Sequence, residues 1–267
     1  MTGFASIIVS AWNRPNLLRA FFNSLWANTT YPYELIVHDD GSKDETSDWL
    51  YKQLRQGRIS TLITNPPDHN RGHGTSVNRA ANVAEGDYIV KMNGDEVFAP
   101  GWLEASVRAM EMFPEIGILH TAHYYKSAPR DLPISKIEWD LGPYTLKAFN
   151  RNGVKIRVVW VGPGDAFIVS KQTWKEKGPW IARKSPTFGE DTEYRIRICP
   201  MMRLLAISHS VAHPPPTDLA AHWEQYKDTP WLAVLDPPMV GYHPGNGLSS
   251  IGDARPTLKD GPLILGG

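Results

Sequence analysis

The chain has 267 residues, room for one large domain or two small ones at roughly 100 to 200 residues per domain. Hydrophobic residues at 42% and charged residues at 21% are ordinary for a soluble globular protein and exclude wholesale disorder, a coiled coil and a collagenous chain. Twenty-eight Lys and Arg balance 28 Asp and Glu, so no bulk positive field gathers nucleic acid or anionic lipid, and any anionic ligand has to be gripped locally.

The N-terminal half alternates strand-like and helix-like segments. Ala5 to Val9 is an apolar, β-branched run that predicts a buried strand. Asn13 stands where a helix cap belongs, Pro15 suits the first turn, and Leu17, Phe21 and Leu25 recur on one helical face. A second strand spans Glu34 to His38 and ends in Asp39-Asp40-Gly41-Ser42, with Ser42 and Glu45 spaced as a capping box for the next helix. Ile59 to Thr64 predicts a third strand, and Thr75 to Ala84 a helix closed by Gly86. Tyr88 to Met92 predicts a fourth strand, Gly101 to Met112 a helix after Pro100, and Gly117 to Ala122 a fifth strand. Such a series builds an open, largely parallel sheet, and ligands of these sheets gather at the strand C-termini.

Periodicity fades over residues 126–152, which suits a long connection with a short hairpin. Lys155 to Val161 and Ala166 to Val169 are strand candidates flanking Gly162-Pro163-Gly164, and a helix is expected from Gly189-Glu190-Asp191 to Cys199. Residues 228–267 hold 6 Pro and 7 Gly, a density that predicts an extended tail rather than packed elements. Cys199 is the lone cysteine and has no partner for an internal disulfide. No run of about 18 apolar residues is long enough to cross a bilayer. Met1 to Ser10 lacks the basic region of a signal peptide. The expected address is therefore reducing and cytoplasmic, without a transmembrane segment.

Four clusters fall where the sheet would gather them. Ser10-Ala11-Trp12-Asn13-Arg14 follows the first strand, and a Trp in that loop either stacks a nucleobase or plugs the end of the sheet. Asp39-Asp40-Gly41-Ser42 offers carboxylates to a base N–H or ribose hydroxyls, or is plain turn chemistry. Asn93-Gly94-Asp95-Glu96 follows the fourth strand, and Asp95 suits a hard cation such as Mg²⁺ or Mn²⁺, which takes few carboxylates and fills its shell with substrate phosphates. Gly189-Glu190-Asp191 opens a helix, where an acid either favours the macrodipole or serves as a base. The pairs His69/His73, His120/His123 and His209/His213 come without cysteine pairs and do not read as structural zinc. The G-x-G-x-x-G signature and the phosphate loop with Gly-Lys-Ser/Thr are both absent, against dehydrogenase and NTPase readings.

Taken in order, these clusters resemble the family 2 glycosyltransferases of the GT-A fold. Ser6 to Arg14 looks like that family's opening strand and nucleotide loop, and Glu34 to Thr46 like its second strand with the Asp-Asp-Gly-Ser turn. Asn70-Arg71-Gly72, Asn78 and Gly86-Asp87-Tyr88-Ile89 resemble the segment leading into the metal motif, and Asn93-Gly94-Asp95 stands where the family usually carries Asp-x-Asp. Pro100-Gly101-Trp102-Leu103 also fits, Gly189-Glu190-Asp191 looks like the Glu-Asp base motif, and His213 like the downstream metal-binding His, with His209 the alternative.

The resemblance implies an α/β, Rossmann-like mixed sheet, mainly parallel and flanked by helices: one GT-A domain over residues 1–227, with a nucleotide-binding half (1–125) and an acceptor half (126–227), then a tail (228–267). It implies hexosyl-type transfer from a UDP-, GDP- or dTDP-linked sugar to a glycan or other hydroxyl acceptor, usually with inversion. Trp12 and Asp40 would hold the base, with Ser10, Arg14 and Gly94 lining the nucleotide sugar, Asn93 facing the ribose or a metal-bound water and Arg71 adding a positive contact. Asp95 and His213 would ligate Mn²⁺ or Mg²⁺, and Asp191 would be the general base. Trp160, Gly164 and Glu190 would line the acceptor side, and Trp139 and Trp180 are either further sugar-stacking faces or core. Asn93 in place of an acid favours one alternative, a sugar-nucleotide-binding module without chemistry. A sugar-phosphate nucleotidyltransferase ranks below both, because its Gly-rich, basic N-terminal loop is missing.

Overall fold

A computed structural model of the chain describes residues 3–123, 145–159, 166–180, 190–200, 219–236 and 239–242. Its N-terminal half runs β1 (Ala5–Ala11), α1 (Pro15–Asn28), β2 (Tyr33–Asp39), α2 (Thr46–Arg55), β3 (Thr61–Thr64), α3 (His73–Asn82), β4 (Tyr88–Met92), β5 (Glu96–Phe98), α4 (Trp102–Met112) and β6 (Ile116–His120). Then follow β7 (Ala122–His123), β8 (Thr145–Arg151), β9 (Val154–Val159), β10 (Phe167–Ser170), α5 (Lys171–Lys177), α6 (Glu190–Ile198), α7 (Leu219–Tyr226), β11 (Trp231–Leu235) and β12 (Val240–Tyr242).

Nine strands form one sheet in the order β3-β2-β1-β4-β10-β6-β11-β9-β8. The first four are mutually parallel, while β10 runs antiparallel to β4 and β6. β1 and β4 are covered on both faces, which is why they read as near-continuous apolar runs. Helix α1 turns Leu18, Phe21, Phe22 and Leu25 inward, so the buried stripe sits one residue past the expected Leu17. At its far end the Trp102 indole lies 4.6 Å from the Phe98 ring and donates to Thr29 Oγ1 at 2.8 Å. Removing that side chain would cost about 3 to 5 kcal/mol of core packing.

Three local expectations are overturned by the structure. Asn13 does not cap α1, which starts from Arg14 with no side-chain cap. Instead Asn13 Oδ1 accepts from Lys43 N at 2.8 Å and its own N–H donates to Ser42 Oγ at 3.0 Å, tying the loop after β1 to the loop after β2. Ser42 is not a capping-box residue either: its N–H and hydroxyl both bond Asp39 Oδ1, and α2 begins after Glu45. Gly86 does not end α3. It lies where a Cβ would come within 2.7 Å of Ser6 N, so only glycine lets the approach to β4 cross the start of β1.

The largest correction concerns the C-terminal segment. The stretch expected to leave the fold at Asp228 contributes β11, all five residues buried, between β6 and β9. It also contributes β12, which pairs with the unforeseen β5 and with β7 in a second, three-stranded sheet. Among the described residues no helix is long and apolar enough to cross a membrane.

Candidate active site

Parallel pairing fixes which loops meet. In register, Ala11 lies beside Asp39 and Val9 beside Met92, so one step further on Trp12 neighbours Asp40 and Ser10 neighbours Asn93. Three of the four sequence clusters are thereby gathered at one sheet edge. Trp12 is 49% exposed, the condition a stacking platform needs and a core plug does not meet. Arg14 is exposed beside it at the start of α1.

Asp40 is only 4% exposed. Its Oδ1 accepts from Asn65 Nδ2 at 2.6 Å and Arg71 N at 2.9 Å, and its Oδ2 from Gly72 N at 2.9 Å. These are charge-assisted bonds to a carboxylate, and they clamp the Asn65–Gly72 loop and the N-terminus of α3 onto the end of β2. Arg71 thus enters through its backbone, while its side chain is exposed. Asp39 is fully buried and shapes its own turn through Ser42 and Ser47.

Behind the clamp, Arg79 Nη1 donates to Asn65 Oδ1 at 2.6 Å and meets His38 Nε2 at 3.2 Å. A guanidinium only donates, so that imidazole nitrogen accepts and His38 carries its proton on Nδ1. Burial, with help from Arg79, pushes the His38 pKa below its ordinary value, against the upward pull of Asp40 and Asp39.

The β4 edge is built around an acid that the sequence left without a role. The Glu96 carboxylate accepts from the N–H groups of Asn93 (2.8 Å), Gly94 (3.0 Å) and Asp95 (3.2 Å). That wraps the backbone into a tight turn presenting the Asn93 and Asp95 side chains, both half-buried. Gly94 sits at φ +88°, and a Cβ there would stand 2.8 Å from Leu18 Cδ2, so the turn admits no side chain. Lys91, fully buried in β4, donates from Nζ to Asn93 Oδ1. Ser10 Oγ and His73 Nδ1 lie 2.6 Å apart, joining β1 to the first turn of α3.

Glu190 and Asp191 occupy the first turn of α6, as expected of the fourth cluster. Trp180 is 2% exposed and packs on Phe167 and Tyr194, so it belongs to the core and not to a sugar-stacking face. Trp139, Trp160, Gly164, His209 and His213 lie outside the described residues. Sequence reasoning missed Lys91 and Asn65, and named Glu96 and His73 without finding the roles they have here. Of the two missed, Lys91 carried a signal, as the one charge inside the run Tyr88 to Met92.

The sequence profile of "Glycosyl transferase family 2" matches residues 6–171, more than half of the chain and every element of the edge just described up to β10. The chain belongs to glycosyl transferase family 2. Curated relatives match at low identity: protein CgeD of Bacillus subtilis is 28% identical over 141 residues, 46% of this chain and 33% of that protein. The O-antigen biosynthesis protein RfbC of Myxococcus xanthus is 35% identical over 115 residues, 42% of this chain and 9% of its own length. The chain therefore spans about a third or less of the length of these two relatives. Among solved structures, S. aureus TarS superposes with a TM-score of 0.57 at 16% identity, covering 89% of this chain and 60% of that one. The Pyrobaculum calidifontis mannosyltransferase PcManGT, solved with GDP-Man and Mn²⁺, does so with a TM-score of 0.53 at 15% identity, covering 86% and 56%. The family 2 chain thus has the GT-A fold.

Proposed function

We propose that this glycosyltransferase moves a hexosyl unit from a nucleoside diphosphate sugar to an acceptor hydroxyl, with inversion at the anomeric carbon. The observation that carries the reading is the convergence of Trp12, Asp40 and the Asn93–Asp95 turn on neighbouring parallel strand ends, with the N-terminus of α3 clamped among them. An exposed indole suits the base, and helix-terminal N–H groups suit anionic oxygens. Structures of the same fold bind GDP-Man or UDP-GlcNAc, which supports a donor in the UDP, GDP or dTDP class.

Among the described residues no cluster of three ligating side chains stands ready for a metal, and Asp95 alone suits a divalent ion shared with the donor. Asp95 offers a hard carboxylate on a backbone that Glu96 holds, and the donor's phosphates would complete the shell. Asp95 and His213 would hold Mn²⁺ or Mg²⁺, which when bound offsets the charge gathering on a departing diphosphate. Asp191, from the first turn of α6, would accept the acceptor's hydroxyl proton. That oxygen bonds to the anomeric carbon from the face opposite the diphosphate, which leaves with the electron pair of the broken C–O bond. Ser10, Arg14, Arg71 and Gly94 would line the donor, and Trp160, Gly164 and Glu190 the acceptor. The address we propose is the cytoplasm.

Donor turnover over a panel of UDP-, GDP- and dTDP-sugars, with Mn²⁺ and with a chelator, tests the reading. Asp191→Asn should lower turnover by at least about a hundredfold, the usual contribution of a general base, while leaving donor affinity within about twofold. Unchanged turnover would remove Asp191 as base. A second reading, a binding module without chemistry, draws on the amide at position 93, and donor affinity with no product from any acceptor would favour it.

A further inference from the structure

We propose that Arg79 is a positioning residue for donor binding: it fixes the Asn65 amide so that Asn65 and the Asp40 carboxylate together seat residues 65–72, and the neutral His38 imidazole fixes Arg79 in turn. The inference rests on the sugar-nucleotide reading above and deepens it. Asn65 is locked from both ends. Its Oδ1 accepts from Arg79 Nη1 at 2.6 Å and its Nδ2 donates to Asp40 Oδ1 at 2.6 Å. A guanidinium only donates and a carboxylate only accepts, so the amide has one orientation. The Asn65 main chain is held as well, its N–H donating to Asp39 O at 2.9 Å. Asp40 also accepts from the N–H groups of Arg71 and Gly72, which lead into α3 beside the strand end that carries Trp12. Arg79, from within α3, thereby closes a ring of bonds around the loop that opens its own helix.

His38 makes this arrangement sensitive to protons. It is fully buried, and its Nε2 accepts from the same Arg79 Nη1 at 3.2 Å. An added proton goes to Nε2, where a donor already stands, so the imidazolium repels the guanidinium and Asn65 loses its partner. The charged groups acting on His38 are Arg79 from α3 and Asp40 and Asp39 at the end of its own strand. β1 and β3 set Ser10 and Ile63 beside it in register, and Ser10 is bonded to His73 of α3. Burial foremost, then Arg79, holds His38 below its ordinary 6.5, so the clamp is whole at neutral pH and loosens as pH falls below that value toward the folded one.

Calorimetry with UDP, GDP and dTDP as probes, at about pH 8 and about pH 5.5, on either side of the ordinary histidine value, tests this together with amide exchange of the free protein. The Arg79 position is exposed on α3 and alanine suits a helix, so Arg79→Ala is expected to fold. At the higher pH it should bind nucleotide about tenfold more weakly and exchange the N–H groups of Arg71 and Gly72 about tenfold faster, the worth of one charge-assisted hydrogen bond. His38→Gln places an acceptor that does not titrate where Nε2 stood. It should match wild type at the higher pH and bind several-fold more tightly than wild type at the lower. The nucleotide's own phosphate titrates near about pH 6 with either protein, so the difference between the two carries the result. Wild-type affinity in Arg79→Ala, unchanged exchange at Arg71 and Gly72, or a loss of affinity with falling pH in His38→Gln as steep as that of wild type would overturn the inference. Should wild type bind none of the three nucleotides, the sugar-nucleotide reading fails. Faster exchange in Arg79→Ala would then still support Arg79 as the holder of the loop, and unchanged exchange would overturn that as well.

Discussion

Asp40 shows how a residue can serve a ligand site by binding its own chain. Its carboxylate joins β2 to the loop that starts α3, so losing it frees three donors at once. Asp40→Ala is expected to destabilise the fold by about 3 kcal/mol, because hydrogen bonds to a charged group are worth about 1.5 to 3 each and solvent replaces part of the loss. The denaturant midpoint measures this, and a shift as small as that of a surface alanine substitution would contradict the clamp. His38 adds a pH dependence. Its folded pKa lies below the ordinary 6.5, so the neutral form is the stabilising one. That stability is whole above the unfolded value and is lost as pH falls below it toward the folded pKa. Thermal midpoints should therefore decline between neutrality and mild acid, and His38→Asn should flatten the slope in that window. An unchanged slope in the variant would assign the decline to other groups.

At the scale of elements, the link between α3 and the segment before α6 matters most. Asn78 on α3 donates from Nδ2 to Trp180 O and accepts from Trp180 N at Oδ1, both at 2.9 Å, as a strand neighbour would. Asn78→Ala should cost about 2 kcal/mol, two half-buried bonds at about 1 each. It should also lower donor turnover more than donor affinity, since Trp180 precedes the helix that carries Asp191. Equal losses in both would place the effect on the fold alone. The first β-α units were legible because a strand covered on both faces has no polar alternation to disguise it, and Tyr88–Met92 is identical in sequence reading and structure. Helix starts were less legible. Asn13 and Ser42 have the composition of caps, yet each bonds across to a segment about thirty residues away or to a neighbouring Asp, and local spacing does not encode such partners.

Across the whole molecule, the C-terminal strands close the sheet. β11 buries five residues as an interior strand, seventh of nine, and β12 places Tyr242 in register with Glu96, directly after the Asn93–Asp95 turn. At about 1.5 to 3 kcal/mol per fully buried large apolar side chain, removing β11 forfeits on the order of 5 to 10 kcal/mol, comparable with the net stability of a typical domain. A chain ending at Lys227 is therefore expected to lack a cooperative thermal transition, measured by calorimetry, and a wild-type-like transition would restore the reading of residues 228–267 as an extended tail.

What the sequence determined by itself was the order of apolar runs and turn clusters, and with it the mainly parallel sheet and the edge where Trp12, Asp40 and Asp95 gather. Those features follow from neighbours in the chain: strand length, β-branching and the residues that end each strand. Only the tertiary structure decided that Glu96 pins the turn, that Lys91 donates to Asn93 and that Trp231–Leu235 is core. In each case the deciding partner is distant in sequence or reached only once the strand faces are set. Proline and glycine crowding over forty residues masked a five-residue strand that long-range pairing stabilises.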